Sequence, residues 1–85
     1  MFELLAKLTN AFGVSGDEEI TKNTIAEEIK GYADDISVDA LGNLIALKKG
    51  KGKKKIMVST HMDEIGLMAT FIDDKGYIRF TNIGG

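Results

Sequence analysis

The chain has no cysteine, no proline and a single histidine among its 85 residues. The missing cysteine excludes disulfides and thiolate zinc sites, and it suits a reducing, cytoplasmic setting. One histidine cannot by itself close a structural metal site, which takes about four protein ligands. Nothing therefore staples the chain internally, although scaffolds this small usually rely on a disulfide, a metal or oligomerisation. A chain of this length buries only about 60–65% of its unfolded surface. It is thus expected to be one small domain at most, or a piece of a larger one whose missing sequence or partners complete the core. Long apolar runs are also lacking. The opening Met1-Phe2-Glu3-Leu4-Leu5-Ala6-Lys7 carries an early acid and fits neither a signal peptide nor a membrane span, so no membrane partner is expected.

Apolar residues at 44% and charged residues at 28% are ordinary for a globular protein. The net charge of −2 conceals a segregation. Residues 1–40 hold nine acids against three lysines (−6), residues 48–55 hold six lysines and no acid (+6), and residues 56–85 hold four acids against two bases (−2). A nucleic-acid surface spreads positive charge over a face and interleaves aromatics. Here the lysines form one block without an aromatic, between two apolar segments. The pattern reads as a solvated turn, and no nucleic-acid partner is expected.

Leu4, Leu5, Leu8, Ala11 and Phe12 recur at helical spacing and predict an amphipathic helix that Gly13 stops. Ser15-Gly16-Asp17-Glu18 fits a capping box for a second helix, in which Ser15 and Glu18 satisfy each other's backbone N–H groups. Ile25, Ile29 and Tyr32 share the stripe of that helix, and Gly31 or Asp34-Asp35 ends it. The period then changes. Ile36-Ser37-Val38 and Leu44-Ile45-Ala46-Leu47 predict two strands joined by the hairpin loop Asp39-Ala40-Leu41-Gly42-Asn43. Ile56-Met57-Val58 predicts a strand buried on both faces. Leu67 to Ile72 and Tyr77 to Phe80 predict two more around the turn Asp73-Asp74-Lys75-Gly76. Two helices followed by about five strands indicate an α/β or α+β unit. Both faces of a central strand need cover, and two helices cannot supply it. The Gly84-Gly85 terminus leaves the last strand unsecured, so a truncated segment is expected.

The chemistry concentrates after the third strand, where α/β proteins place their sites. His61 and Asp63 are two residues apart, so in extended backbone both side chains project to one side. That suits a metal ligand and its supporter, with one imidazole nitrogen free to coordinate and the other donating its N–H to the carboxylate. Glu64 points the other way, and Gly66 permits a close approach of backbone. On spacing alone His61 is either a ligand or a hydrogen-bonded surface histidine, the commoner role of a lone histidine.

Four ordered stretches carry a resemblance: Leu8-Thr9-x-x-Phe12-Gly13-Val14-Ser15-Gly16, Asp39-Ala40-Leu41-Gly42-Asn43-Leu44, His61-Met62-Asp63-Glu64-Ile65-Gly66-Leu67-Met68 and Phe80-Thr81-x-Ile83-Gly84-Gly85. Together they resemble the start of the tetrahedral (glutamyl and deblocking) aminopeptidases, metallopeptidases whose members sometimes carry endoglucanase or cellulase labels. The resemblance implies an α/β fold: residues 1–66 begin a helix-flanked mixed-sheet catalytic domain, and residues 67–85 begin an inserted β-rich dimerisation domain. It implies an aminopeptidase acting on peptides with two divalent ions, zinc or cobalt. His61 matches a metal ligand and Asp63 the catalytic aspartate that orients it. The remaining ligands and the general base are expected beyond residue 85, leaving this segment inactive by itself. Family members form dimers that assemble into dodecamers. Two rival readings stand beside this one, a non-catalytic assembly fragment and an endoglucanase. Glycoside hydrolysis needs two carboxylates about 5–10 Å apart, and the adjacent Asp63 and Glu64 on opposite sides of an extended chain fit it poorly.

Overall fold

A computed structural model describes residues 1–85. The two predicted helices form as α1 (Phe2–Asn10) and α2 (Glu19–Ile29). Beyond them lie four strands, β1 (Asp35–Val38), β2 (Leu44–Leu47), β3 (Gly66–Ile72) and β4 (Ile78–Ile83). The fold is a small α/β arrangement with two antiparallel two-stranded sheets, β1–β2 and β3–β4. β1 and β2 pair from Asp35 opposite Leu47 to Val38 opposite Leu44. β3 and β4 pair from Gly66 opposite Ile83 to Ile72 opposite Ile78, with a bulge between Ala69 and Phe71.

The two hairpin loops are the same device used twice. In the first, the Asp39 carboxylate accepts the N–H groups of Leu41 and Asn43, both at 2.9 Å. In the second, the Asp73 carboxylate accepts those of Lys75 and Tyr77 at the same distance. The fourth residue of each loop is a glycine with positive φ, +87° at Gly42 and +84° at Gly76. A side chain would crowd the backbone there, which is why Asp-x-x-Gly was legible as a turn. The Asn43 side-chain amide also donates to Asp39 at 2.8 Å. This bond, then the backbone N–H groups of Asn43, Leu41 and Gly42, holds the Asp39 carboxyl below the usual carboxylate range.

Two local expectations fail for identifiable reasons. The Ser15–Glu18 capping box does not form, because the chain turns tightly first: Asp17 N–H donates to Val14 O at 2.8 Å, with Gly16 at φ +92°. The turn moves the helix N-cap to Glu18, whose carboxylate reaches back to Gly16 N–H at 2.8 Å instead. The second failure is larger. Ile56-Met57-Val58 forms no strand and lies 91, 89 and 88% exposed. A strand interior requires neighbours on both edges, and each hairpin here pairs only its own two strands, leaving residues 56–58 without a partner. Hence no mixed central sheet forms among these residues. The one parallel pairing is an isolated bridge between Val14 and Glu64.

The packing is correspondingly open. No hydrophobic residue is buried, and the accessible surface is 7762 Å², where a compact monomer of this mass exposes about 4,900 Å². The radius of gyration is 17.2 Å, against about 12 Å for a compact domain of this length. Lys7 pairs with Glu28 to link the helices, and Lys48 with Asp34 to fasten the end of β2 at 3.7 Å. Both are exposed pairs of small energetic weight. Only Gly13 and Thr21 are buried, and both lie beside the segment that follows His61.

Candidate functional site

Residues 53–63 run between the lysine turn and β3 without regular secondary structure. His61 sits near the end of this run with its side chain 83% exposed, while that of Asp63 is 36% exposed. The structure brings the two together as the spacing predicts. His61 Nδ1 lies 3.0 Å from the Asp63 carboxylate oxygen Oδ1 and 3.0 Å from the Asp63 backbone carbonyl oxygen. A carbonyl can only accept a hydrogen bond, as can an ionised carboxylate. Two acceptors on one nitrogen place the ring proton on Nδ1. In the neutral ring this leaves the lone pair on Nε2. Glu64 takes a different part: its backbone N–H donates to Gly13 O at 2.8 Å.

That bond belongs to a junction the periodicities did not reveal. Thr21, 5% exposed in the first turn of α2, donates its hydroxyl to Phe12 O at 2.9 Å. Gly13 fits so closely beneath it that a Cβ there would lie 2.2 Å from Thr21 Oγ1 and 3.6 Å from Met62 O. A Cβ on Gly66 would lie 2.3 Å from Val14 Cγ2, so the close approach expected at Gly66 is present, and its neighbour is Val14. The Phe12–Gly16 stretch was visible in sequence only as the end of one helix, a stop at Gly13 and the cap of the next. Its contact with residues 62–66 spans some fifty positions, and only the two glycines hinted at it.

An open groove lies alongside, walled by β2, the lysine turn and residues 56–60, and it ends at Thr60 and Met62, the neighbours of His61. No group of three or more histidine, cysteine or acidic side chains comes together in a metal-holding arrangement. His61 with its oriented ring fits a single ligand position. No helix is long and apolar enough to cross a membrane.

Two hairpins thus flank an exposed His-x-Asp pair that follows an apolar run in a small α/β fold. Comparison with known proteins makes this specific. The family model of the M42 glutamyl aminopeptidases matches residues 42–85. The chain is 64% identical over its whole length to the "Putative aminopeptidase" of Acetivibrio thermocellus, covering 26% of that protein. It is 44% identical to the lysyl aminopeptidase of Pyrococcus furiosus over 99% of the chain and 24% of that relative. Among solved structures, the TET aminopeptidase of the marine sediment archaeon Thaumarchaeota archaeon SCGC AB-539-E09 superposes with a TM-score of 0.90 at 36% identity, covering 99% of this chain and 23% of that one. A Thermotoga maritima protein described as an endoglucanase superposes at 0.85 with 44% identity, over 92% of this chain and 25% of the other. The chain belongs to the M42 glutamyl aminopeptidase family. It spans about a quarter of the length of the curated relatives it matches.

Proposed function

We propose that the protein carrying this chain is a metal-dependent aminopeptidase, with His61 Nε2 as a ligand of one ion in a two-ion site. The observation that carries this is the pair of 3.0 Å contacts from His61 Nδ1 to Asp63, which supports an Nε2 lone pair held in a fixed direction. Asp63 is the residue that orients the ring and raises its basicity as a ligand. Zinc and cobalt both accept imidazole and carboxylate donors. When bound, such a pair of ions supplies Lewis-acid polarisation of the scissile carbonyl and a more acidic water. Substrates are peptides with free N-termini, and the setting is cytoplasmic.

In this reading residues 1–66 open the catalytic domain, and residues 56–58 are a central strand of its mixed sheet. The exposure of Ile56, Met57 and Val58 supports that placement, because three apolar side chains left in water gain by burial between neighbouring strands. Residues 67–85 open an inserted dimerisation domain. The exposure of Leu67, Met68, Phe71, Ile72 and Phe80, each more than half accessible, favours an assembling surface, and the likeness to a TET aminopeptidase supports dimers built into a dodecamer. The general base and other ligands then lie in the part of the family chain not represented in these residues.

The experiment is His61→Ala in the full-length protein, with metal content and hydrolysis of aminoacyl amides measured together. The variant is expected to lose activity and to bind less metal, and wild-type turnover with full metal content refutes the ligand role. Cellulose oligomers serve as a parallel substrate: cleavage of these and not of peptide amides would instead support the endoglucanase reading. A metal-free dimer without peptidase activity at full length would support a purely assembling role.

A further inference from the structure

The only two buried residues of the chain, Gly13 and Thr21, lie at one place, and that place adjoins the loop carrying His61 and Asp63. Every other residue is half-buried or exposed, so this is where the chain packs most tightly. Three separate observations define it. The Thr21 hydroxyl holds Phe12 O at 2.9 Å, which sets the path of the chain into Gly13. Gly13 O then accepts Glu64 N–H at 2.8 Å, and Val14 bridges to Glu64 in parallel. Finally, Val14 closes over Gly66, with its two Cγ atoms 2.3 and 3.2 Å from where a Cβ would stand.

We infer that Thr21, Gly13, Val14 and Gly66 form a positioning clamp that fixes the His61–Asp63 segment from behind, so that the imidazole is presented in one orientation. The physical argument is one of leverage. Residues 53–63 have no strand partner of their own, and the Asp63–His61 hydrogen bond fixes the ring only relative to its own loop. The backbone bond at Glu64, one residue beyond Asp63, and the steric lock at Gly66 are what tie that loop to the helical layer. None of the four residues has an ionisable side chain, and none contacts the imidazole. They act through the backbone of residues 62–66.

The clamp makes a size-swap prediction. Gly66 does not occupy the positive-φ region, so Gly66→Ala is strained only by Val14, and removing the Val14 Cγ atoms relieves it. The clamp rests on the reading of His61 as a ligand for its functional consequence, but not for its mechanical one, and the readouts keep the two apart. In the full-length protein, Gly66→Ala is expected to raise deuterium uptake across residues 62–66 and to weaken affinity for Zn²⁺ alone by about 10–100-fold, the usual effect of releasing a ligand's support. The double variant Val14→Ala with Gly66→Ala is expected to return both to within about threefold of wild type. Should Gly66→Ala not fold, Val14→Ala alone decides, with faster uptake at residues 62–66 and unchanged uptake in residues 67–83. Equal uptake at 62–66 in every variant overturns the clamp, as does a double variant no better than Gly66→Ala. Altered uptake with unaltered zinc affinity overturns the positioning role while leaving the packing. His61→Ala tests the ligand reading separately: zinc affinity equal to wild type there would remove the metal reading, and the uptake results would still stand or fall by themselves.

Discussion

Replacing Thr21 by valine tests whether the buried junction is held by its hydrogen bond or by shape alone. Valine keeps the branched outline, so the substitution exchanges one hydroxyl for a methyl at a residue that is 5% exposed. The new methyl would face Phe12 O across 2.9 Å, the distance the hydroxyl now spans, closer than the roughly 3.3 Å at which carbon and oxygen meet comfortably. No other protein group donates to that carbonyl. Losing one partner of a partly buried bond costs about 1–2 kcal/mol, which is about 5- to 30-fold in the local opening equilibrium. Thr24 supplies an internal control on the same helix. Its hydroxyl donates to Ile20 O at 2.8 Å in an exposed position, and that carbonyl also belongs to the helical ladder. Thr24→Val carries the same change in helix propensity, yet should cost no more than about 0.5 kcal/mol. Native-state hydrogen exchange at Glu64 N–H is the measurement, since it reads local opening without assuming all-or-none unfolding. Exchange 5- to 30-fold faster in Thr21→Val and little changed in Thr24→Val is expected. Equal exchange in both variants would refute the reasoning, because the buried hydroxyl would then hold nothing that the exposed one does not.

Further outcomes follow from the hairpins and the exposed run. Gly42→Ala and Gly76→Ala place a Cβ at φ +87° and +84° with no neighbouring atom to meet, so each should destabilise its hairpin by about 1–2 kcal/mol through backbone strain alone. Gly50→Ala, in the lysine turn with open space around it, should be neutral in the same urea titration. The lowered Asp39 carboxyl, held chiefly by the Asn43 side chain, stabilises the β1–β2 hairpin above the unfolded-state value, and this contribution is lost as pH falls through the folded-state value. Asp39→Asn should therefore flatten the acid limb of hairpin stability below about pH 4, read from exchange at the strand amides; an unchanged acid limb would contradict it. Met57→Ser should leave these 85 residues as stable as before, since Met57 is 89% exposed in them. It should destabilise the full-length protein by about 2 kcal/mol or more if residues 56–58 are a central strand there.

Local chemistry was legible in the sequence and tertiary neighbourhood was not. Asp39-x-x-Gly42 and Asp73-x-x-Gly76 could be read as hairpin loops because every interaction that makes them lies within five residues. The helices were readable from spacing for the same reason. The His61–Asp63 pairing followed from alternation along extended backbone, and the two side chains do meet at 3.0 Å. The capping box failed because the tight turn at Val14–Asp17 moved the N-cap to Glu18 and brought Gly16 N–H, not Ser15 N–H, to its carboxylate.

What the sequence by itself determined is therefore an inventory of two helices, two hairpins and one histidine with a carboxylate beside it, together with a fifth strand at Ile56–Val58 that does not form in these residues. The tertiary structure decided which of those residues are held and which are free. An apolar run such as Ile56-Met57-Val58 carries a preference for extended backbone, but burial requires neighbouring strands, and these residues provide none, so it stands exposed. The junction of Gly13 and Thr21 with Glu64 and Gly66 likewise depends on atoms distant in sequence meeting at van der Waals distance. No periodicity encodes that, because the constraint is steric and three-dimensional: two glycines are needed only where two segments of chain happen to cross.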